Sequence, residues 1–264
     1  MEAKHTLIDI GANLTHPDLY NKIDLVIKNF QKENIEKVII TSSNTEDTKT
    51  ALKIIKLYPN LFYTTVGVHP HNAKDLNESE IEGIKKLINN SHVVAIGECG
   101  LDYYREYSPK DKQIDCFEKH LEIATTTSKP LFLHERHAFI DFFNLLKKYA
   151  PRLNKYVIHC FTGDKESLKA YVDIGCYIGI TGWITDMSRG KHLHDLIKYI
   201  PQDRLMIETD SPYLIPHNLD FKHDGINEPS FLKFVAQTIA KCLSRDVNYI
   251  KDDTTRNAKS FFNI

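Results

Sequence analysis

The strongest constraint on this chain is a repeat of pattern rather than of letters. Short apolar runs occur eight times: 6–10, 37–41, 62–68, 93–97, 130–134, 156–160, 176–181 and 204–209. Between them lie longer stretches with apolar residues at three-to-four spacing, such as 24–34, 46–58, 79–90, 111–127, 139–150, 165–175 and 191–200. The first kind reads as buried strand and the second as amphipathic helix. Two more helices are expected at 228–243, which opens on Glu228-Pro229, and at about 254–262. Strands that alternate with helices build a parallel sheet with crossover helices. Eight such units in 264 residues suit a (β/α)₈ TIM barrel. The rival is an open doubly wound sheet, which is expected to carry a glycine-rich phosphate loop after its first strand. Here that turn reads GANLTHPD, with no such loop. The expectation is one α/β barrel domain over residues 1–264.

In a barrel the chemistry sits at the C-terminal ends of the strands. Read in order, those ends offer Asn13, then His69 and His71 in GVHPH, Glu98 in VVAIGECG, His134, His159, and finally Glu208 and Asp210 in ETD. A single strand-end histidine is as often a solvated polar group as a functional one. Glu98, His134, His159 and Asp210 at matching depth are harder to explain that way. Two imidazoles and two carboxylates suit a divalent metal with room for a water.

Other candidates are weaker. His134-Glu135-Arg136-His137 lacks the spacing of the H-E-x-x-H zinc helix, so His137 reads as a loop residue. His192 and His194 fall in an expected surface helix. Cys99 and Cys160 have no base-and-orienter set that would make either a nucleophile.

Composition excludes several classes. Formal net charge is −1, so any nucleic-acid contact is local rather than a basic surface. No apolar run approaches the roughly 20 residues that span a bilayer, and Asp9 interrupts the only N-terminal apolar stretch. Five cysteines, with no C-x-x-C, argue for reduced thiols and a cytoplasmic setting. Nothing points to a membrane or to an obligate protein partner.

The motifs DIGANLT, GVHPH, AIGECGLDYYR, PLFLH, IHCFTG, GITGW, IETDSPYL and NEP stand in an order that resembles the TatD family of metal-dependent deoxyribonucleases. The resemblance runs from about Asp9 to the C-terminus. It implies a TIM barrel of the amidohydrolase-like kind and a Mg²⁺-dependent DNase with 3′-to-5′ exonuclease and some endonuclease action, on single strands or 3′ ends. By motif match it implies Glu98, His134, His159 and Asp210 as metal ligands, and His69 and His71 as residues lining the substrate pocket. Arg136 and Arg105 match basic positions suited to phosphate oxygens. Many relatives in the wider superfamily carry D-x-H-x-H on the first strand. Here Gly11 and Asn13 stand instead, so one metal site is expected to be well formed and a second is in question.

For such a reaction Asp210 is the expected proton acceptor. His69 or His71 would hold the phosphate or protonate the leaving oxygen, and Asn13 would lie beside the substrate. Two imidazoles favour Mn²⁺ or Zn²⁺ on softness grounds, against the Mg²⁺ that the resemblance implies. The rival functions are hydrolysis of another bond (ester, amide or aminoacyl-tRNA) and a non-catalytic metal-binding scaffold.

Overall fold

A computed structural model describes residues 5–264. The strands are β1 (Leu7–Ala12), β2 (Ile35–Ile40), β3 (Phe62–Val66), β4 (Val93–Asp102), β5 (Leu131–Arg136), β6 (Tyr156–Ile158), β7 (Tyr177–Ile180) and β8 (Leu205–Ile207). They form one sheet in chain order, the strand order of the expected (β/α)₈ barrel. Pairings β1–β2, β3–β4, β4–β5, β5–β6 and β7–β8 are parallel. The helices are α1 (Pro17–Tyr20), α2 (Ile23–Lys32), α3 (Thr45–Leu57), α4 (Glu78–Leu87), α5 (Lys110–Ala124), α6 (Phe139–Tyr149), α7 (Lys165–Asp173), α8 (Lys191–Leu196), α9 (Leu232–Leu243) and α10 (Val247–Phe262). Among the described residues no helix is long and apolar enough to cross a membrane. Contacts group the chain into two compact units.

One unit holds the chain up to Ile40, Cys160–Lys169 and Ile178–Ile264. Every residue of β1 is buried, as a strand covered on both faces requires. A parallel bridge from Ala12 to Ser211 joins the chain just beyond β8 to the end of β1. Helix α10 packs on both strands, burying Ile250, Thr254, Ala258, Phe261 and Phe262. It starts well before the expected 254. Asp246 caps its first turn by accepting the Asn248 N–H at 2.7 Å, and the polar run that follows hides two turns from an apolar-periodicity reading.

The other unit holds Thr41–His159 and Ala170–Tyr177. Its central element is β4, ten residues long and buried throughout. The sequence predicts an end at residue 97, but the strand continues to Asp102, so Glu98 lies inside it. Gly97 and Gly100 explain the difference. Both take φ near +145°, where side chains are strained, and the register slips between Ile96 and Cys99. A Cβ on Gly100 would lie 1.9 Å from the His134 carbonyl oxygen. Past the slip, Gly100 pairs with His134 and Asp102 with Arg136, so β4 and β5 carry their polar residues side by side. Helix α5 packs on β4 and locks its end: Asp102 N–H donates to Gln113 Oε1 at 2.7 Å, and Gln113 Nε2 donates back to the Asp102 carbonyl at 3.1 Å.

Candidate metal centre

Three imidazoles converge on one carboxylate oxygen. Glu98 Oε1 lies 2.7 Å from His159 Nε2, 2.8 Å from His134 Nδ1 and 3.2 Å from His69 Nε2. Glu98 is 5% exposed and His159 3%, so water does little to screen the group. The ligand-capable atoms of His69, Glu98 and His134 all lie within 4.8 Å of one another. His159 Nε2 is a further 3.3 Å from His134 Nδ1. The Phe132 ring lies 4.8 Å from that of His159, an apolar wall beside the cluster.

A second carboxylate flanks it. Asp102 Oδ2 lies 2.8 Å from His71 Nε2 and 3.5 Å from His134 Nε2. The longer separation is an ion-pair distance rather than a hydrogen bond, and His134 Nε2 is buried without a hydrogen-bond partner. Asp102 Oδ1 accepts the N–H groups of Tyr104 and Arg105 at 2.9 and 2.8 Å. Asp102 was not among the expected site residues. The signal was present, because Glu98, Gly100 and Asp102 alternate at i, i+2 and i+4 and so share a strand face.

The electrostatics follow from this packing. Burial opposes ionisation of Glu98, yet His159, His69 and His134 together hold its carboxyl well below the ordinary range. Burial likewise opposes ionisation of Asp102, and His134, His71 and the Arg105 N–H outweigh it. Burial pushes the His69 imidazole down to about 4, leaving it neutral. His69 uses both ring nitrogens within the cluster: Nε2 faces Glu98, and Nδ1 accepts the His71 N–H at 3.1 Å. Two buried carboxylates thus sit among imidazoles, and among the described residues no lysine or arginine side chain pairs with either. The missing positive charge, the orphaned His134 nitrogen and the mixed N/O donor set all fit a divalent cation.

The remaining expected residues fall into two groups. Asn13 and Asp210 belong to the first unit, where Asn13 Nδ2 donates to Asp210 Oδ1 at 3.1 Å and Asp210 N–H donates to the Gly11 carbonyl at 2.8 Å. Behind them Asp9 is fully buried. It accepts the Thr209 N–H at 2.9 Å and the Gly11 N–H at 3.2 Å, and its Oδ2 lies 2.5 Å from Thr209 Oγ1. Arg105 and Arg136 meet around Tyr104, their Cζ atoms 5.8 and 4.0 Å from its ring centre. His137 is an exposed residue at φ +56°. His192 and His194 lie in α8 and face the Thr162 and Ile184 carbonyls at 3.2 and 2.8 Å. Cys99 is buried with its thiol pushed up by burial, which disfavours the thiolate.

Comparison with known proteins gives a consistent picture. The model of a family described as TatD related DNase matches residues 8–263. A curated relative from Edwardsiella piscicida, named 3′-5′ ssDNA/RNA exonuclease TatD, is 39% identical over 259 residues, spanning 98% of this chain and 100% of its own. A relative of the same name from Salmonella typhimurium is 37% identical over 259 residues, spanning 98% of this chain and 99% of its own. Among solved structures, a TatD family hydrolase from Entamoeba histolytica superposes with a TM-score of 0.89 at 28% identity, covering 97% of this chain and 98% of that one. A TatD homologue from Escherichia coli has the same fold, with a TM-score of 0.89 at 23% identity over 98% of each chain.

Proposed function

Because the chain belongs to the TatD related DNase family, we propose that it removes nucleotides from the 3′ end of single-stranded DNA, with a divalent ion as its cofactor. It is a nuclease, a hydrolase of phosphodiester bonds. The observation that carries the finer reading is the convergence of three imidazole nitrogens on Glu98 Oε1 with no protein cation among them. Glu98, His134 and His159 would hold the ion, and motif match adds Asp210 to the set. When bound, the ion supplies Lewis acidity to the scissile phosphate and makes water acidic enough to attack near neutral pH. Mg²⁺ is the working ion on family grounds, and Mn²⁺ binds at least as tightly because imidazole is a soft partner for Mg²⁺.

The chain's own groups do the rest. Asp210 takes the proton of the attacking water, and Asn13 orients it by donating to its Oδ1 at 3.1 Å. His69 has both nitrogens committed, so the proton for the leaving 3′ oxygen comes from His71. His71 is 30% exposed, and Asp102 at 2.8 Å from its Nε2 fixes the ring's orientation. Arg105 and Arg136 hold phosphate oxygens. The relatives' name also includes RNA, so single-stranded RNA is a second substrate to test. The family model spans 8–263, which supports one catalytic domain, and five free thiols support a cytoplasmic setting.

The test is digestion of single-stranded DNA by chelator-stripped protein. Turnover should vanish and return with Mg²⁺ or Mn²⁺, with products shortened from the 3′ end. Full turnover in excess chelator, or hydrolysis of esters or aminoacyl-tRNA in place of DNA, would overturn the reading.

A further inference from the structure

Two tyrosines follow Asp102, and they are built differently. Tyr103 is structural: its hydroxyl donates to Asp141 at 2.9 Å. Tyr104 is 54% exposed, and among the described residues its hydroxyl has no hydrogen-bond partner. Its ring is nonetheless held. The Arg136 guanidinium covers one face at 4.0 Å, and the His137 ring meets it edge-on at 5.0 Å. Below, its N–H donates to Asp102 Oδ1, the carboxylate whose other oxygen faces His71 and His134. Two residues of chain span at most about 7 Å, so the Tyr104 Cα lies within about that distance of the Asp102 Cα, whose carboxylate flanks the metal cluster. Neither Arg105 nor Arg136 forms an ion pair among the described residues, which leaves both guanidinium groups available to an anion.

A rigid, exposed aromatic face backed by unpaired cations is poor economy for stability and good design for a nucleotide. Stacking on an aromatic ring accepts every base, because each has a π face. A guanidinium behind the ring enriches the contact and offers donors to the adjacent phosphate. We propose that Tyr104, backed by Arg136, is the stacking platform for an unpaired base of the substrate strand next to the scissile phosphate. This rests on the nuclease reading and deepens it. The platform explains a preference for single strands, since a base in a duplex must first leave its stack. It also predicts indifference to base identity, because a ring face reads no hydrogen-bonding edge.

The experiment measures binding, so it does not depend on turnover. A 5′-fluorescent oligothymidylate with phosphorothioate linkages at its 3′ end is titrated with wild type, Tyr104→Leu and Tyr104→Phe in Mn²⁺, by anisotropy. Abasic residues are then placed singly at the last three positions. Tyr104→Leu should weaken binding roughly 10- to 100-fold, as loss of one base–aromatic stack does, and Tyr104→Phe should stay within about threefold, since the ring is kept. One abasic position should cost wild type a similar factor and cost Tyr104→Leu nothing further. Unchanged binding by Tyr104→Leu, or abasic penalties that are the same in both proteins, would overturn the platform. Turnover of the unmodified oligomer by wild type is measured in parallel. Its absence alongside ring-dependent binding would overturn the nuclease reading and leave the platform standing.

Discussion

Replacing Asp102 with Asn tests the assignment of His71 as proton donor. The side chain is 1% exposed and its Oδ2 lies 2.8 Å from His71 Nε2. Oδ1 accepts two backbone N–H groups, so the amide oxygen of Asn stays there and its NH₂ turns toward the imidazole. Two donors then face each other, and the ring must take the other tautomer. A ring held in the other tautomer no longer presents its proton to the leaving oxygen, and general acid catalysis is worth about 10²–10⁴-fold, so a loss of at least about a hundredfold is expected. The assay is single-turnover cleavage of single-stranded DNA beside hydrolysis of the p-nitrophenyl ester of thymidine 5′-phosphate, whose leaving group departs without a proton. Asp102→Asn should lose about a hundredfold on DNA and far less on the ester. Equal losses on the two substrates would show that Asp102 serves the fold or the metal, and that His71 is not the acid.

Three further outcomes are expected. Asp210→Asn should keep most of its affinity for Mn²⁺ in a calorimetric titration while kcat falls about 10²–10⁴-fold, whereas Glu98→Gln should lose both; equal loss of metal by the two would make Asp210 an essential ligand instead of the base. Gly100→Ala would place a Cβ 1.9 Å from the His134 carbonyl at φ +146°, for a cost of roughly 3 kcal/mol and a melting temperature about 6–12 °C lower; an unchanged melt would refute the close approach. Burial pushes the Asp9 carboxyl up to about 8, against hydrogen bonds from Thr209 and Gly11 that favour the anion, so the folded protein keeps a proton that the unfolded chain, near 3.8, gives up. That contribution is full below about pH 4 and is lost as pH rises through about 8; urea midpoints of wild type should fall between about pH 5.5 and 8, and Asp9→Asn should flatten the change by up to about 1.4 kcal/mol per pH unit.

What could be read in the letters followed burial. Strands covered on both faces appear as apolar runs, and eight of them between amphipathic stretches left little choice of architecture. Glu98, His134 and His159 were visible because each interrupts or ends such a run with a polar group. What escaped the reading was set by backbone geometry and by pairs distant in sequence. The end of β4 was misplaced because Gly97 and Gly100, which suggest a turn on paper, bend a strand that continues. Asp102 falls outside the expected site for the same reason, since it lies beyond the expected strand end. The division of work proposed for His69 and His71 rests on which nitrogen meets which oxygen, and spacing in GVHPH holds no such information. Tyr103 and Tyr104 are the same letter twice, and only exposure and hydroxyl partners separate them.

The hydrogen bond from Asn13 to Asp210 joins residues 197 positions apart. Around it, Asp9 meets Thr209 and Ala12 meets Ser211 across similar separations. On a ribosome adding about 5–20 residues per second, about 10–40 seconds pass between the synthesis of the two partners. During that interval a nascent chain holds Glu98, His134 and His159 but not the residue assigned as base. With Asp210 as the proposed base, cleavage has to wait until residue 210 has been made and has met Asn13.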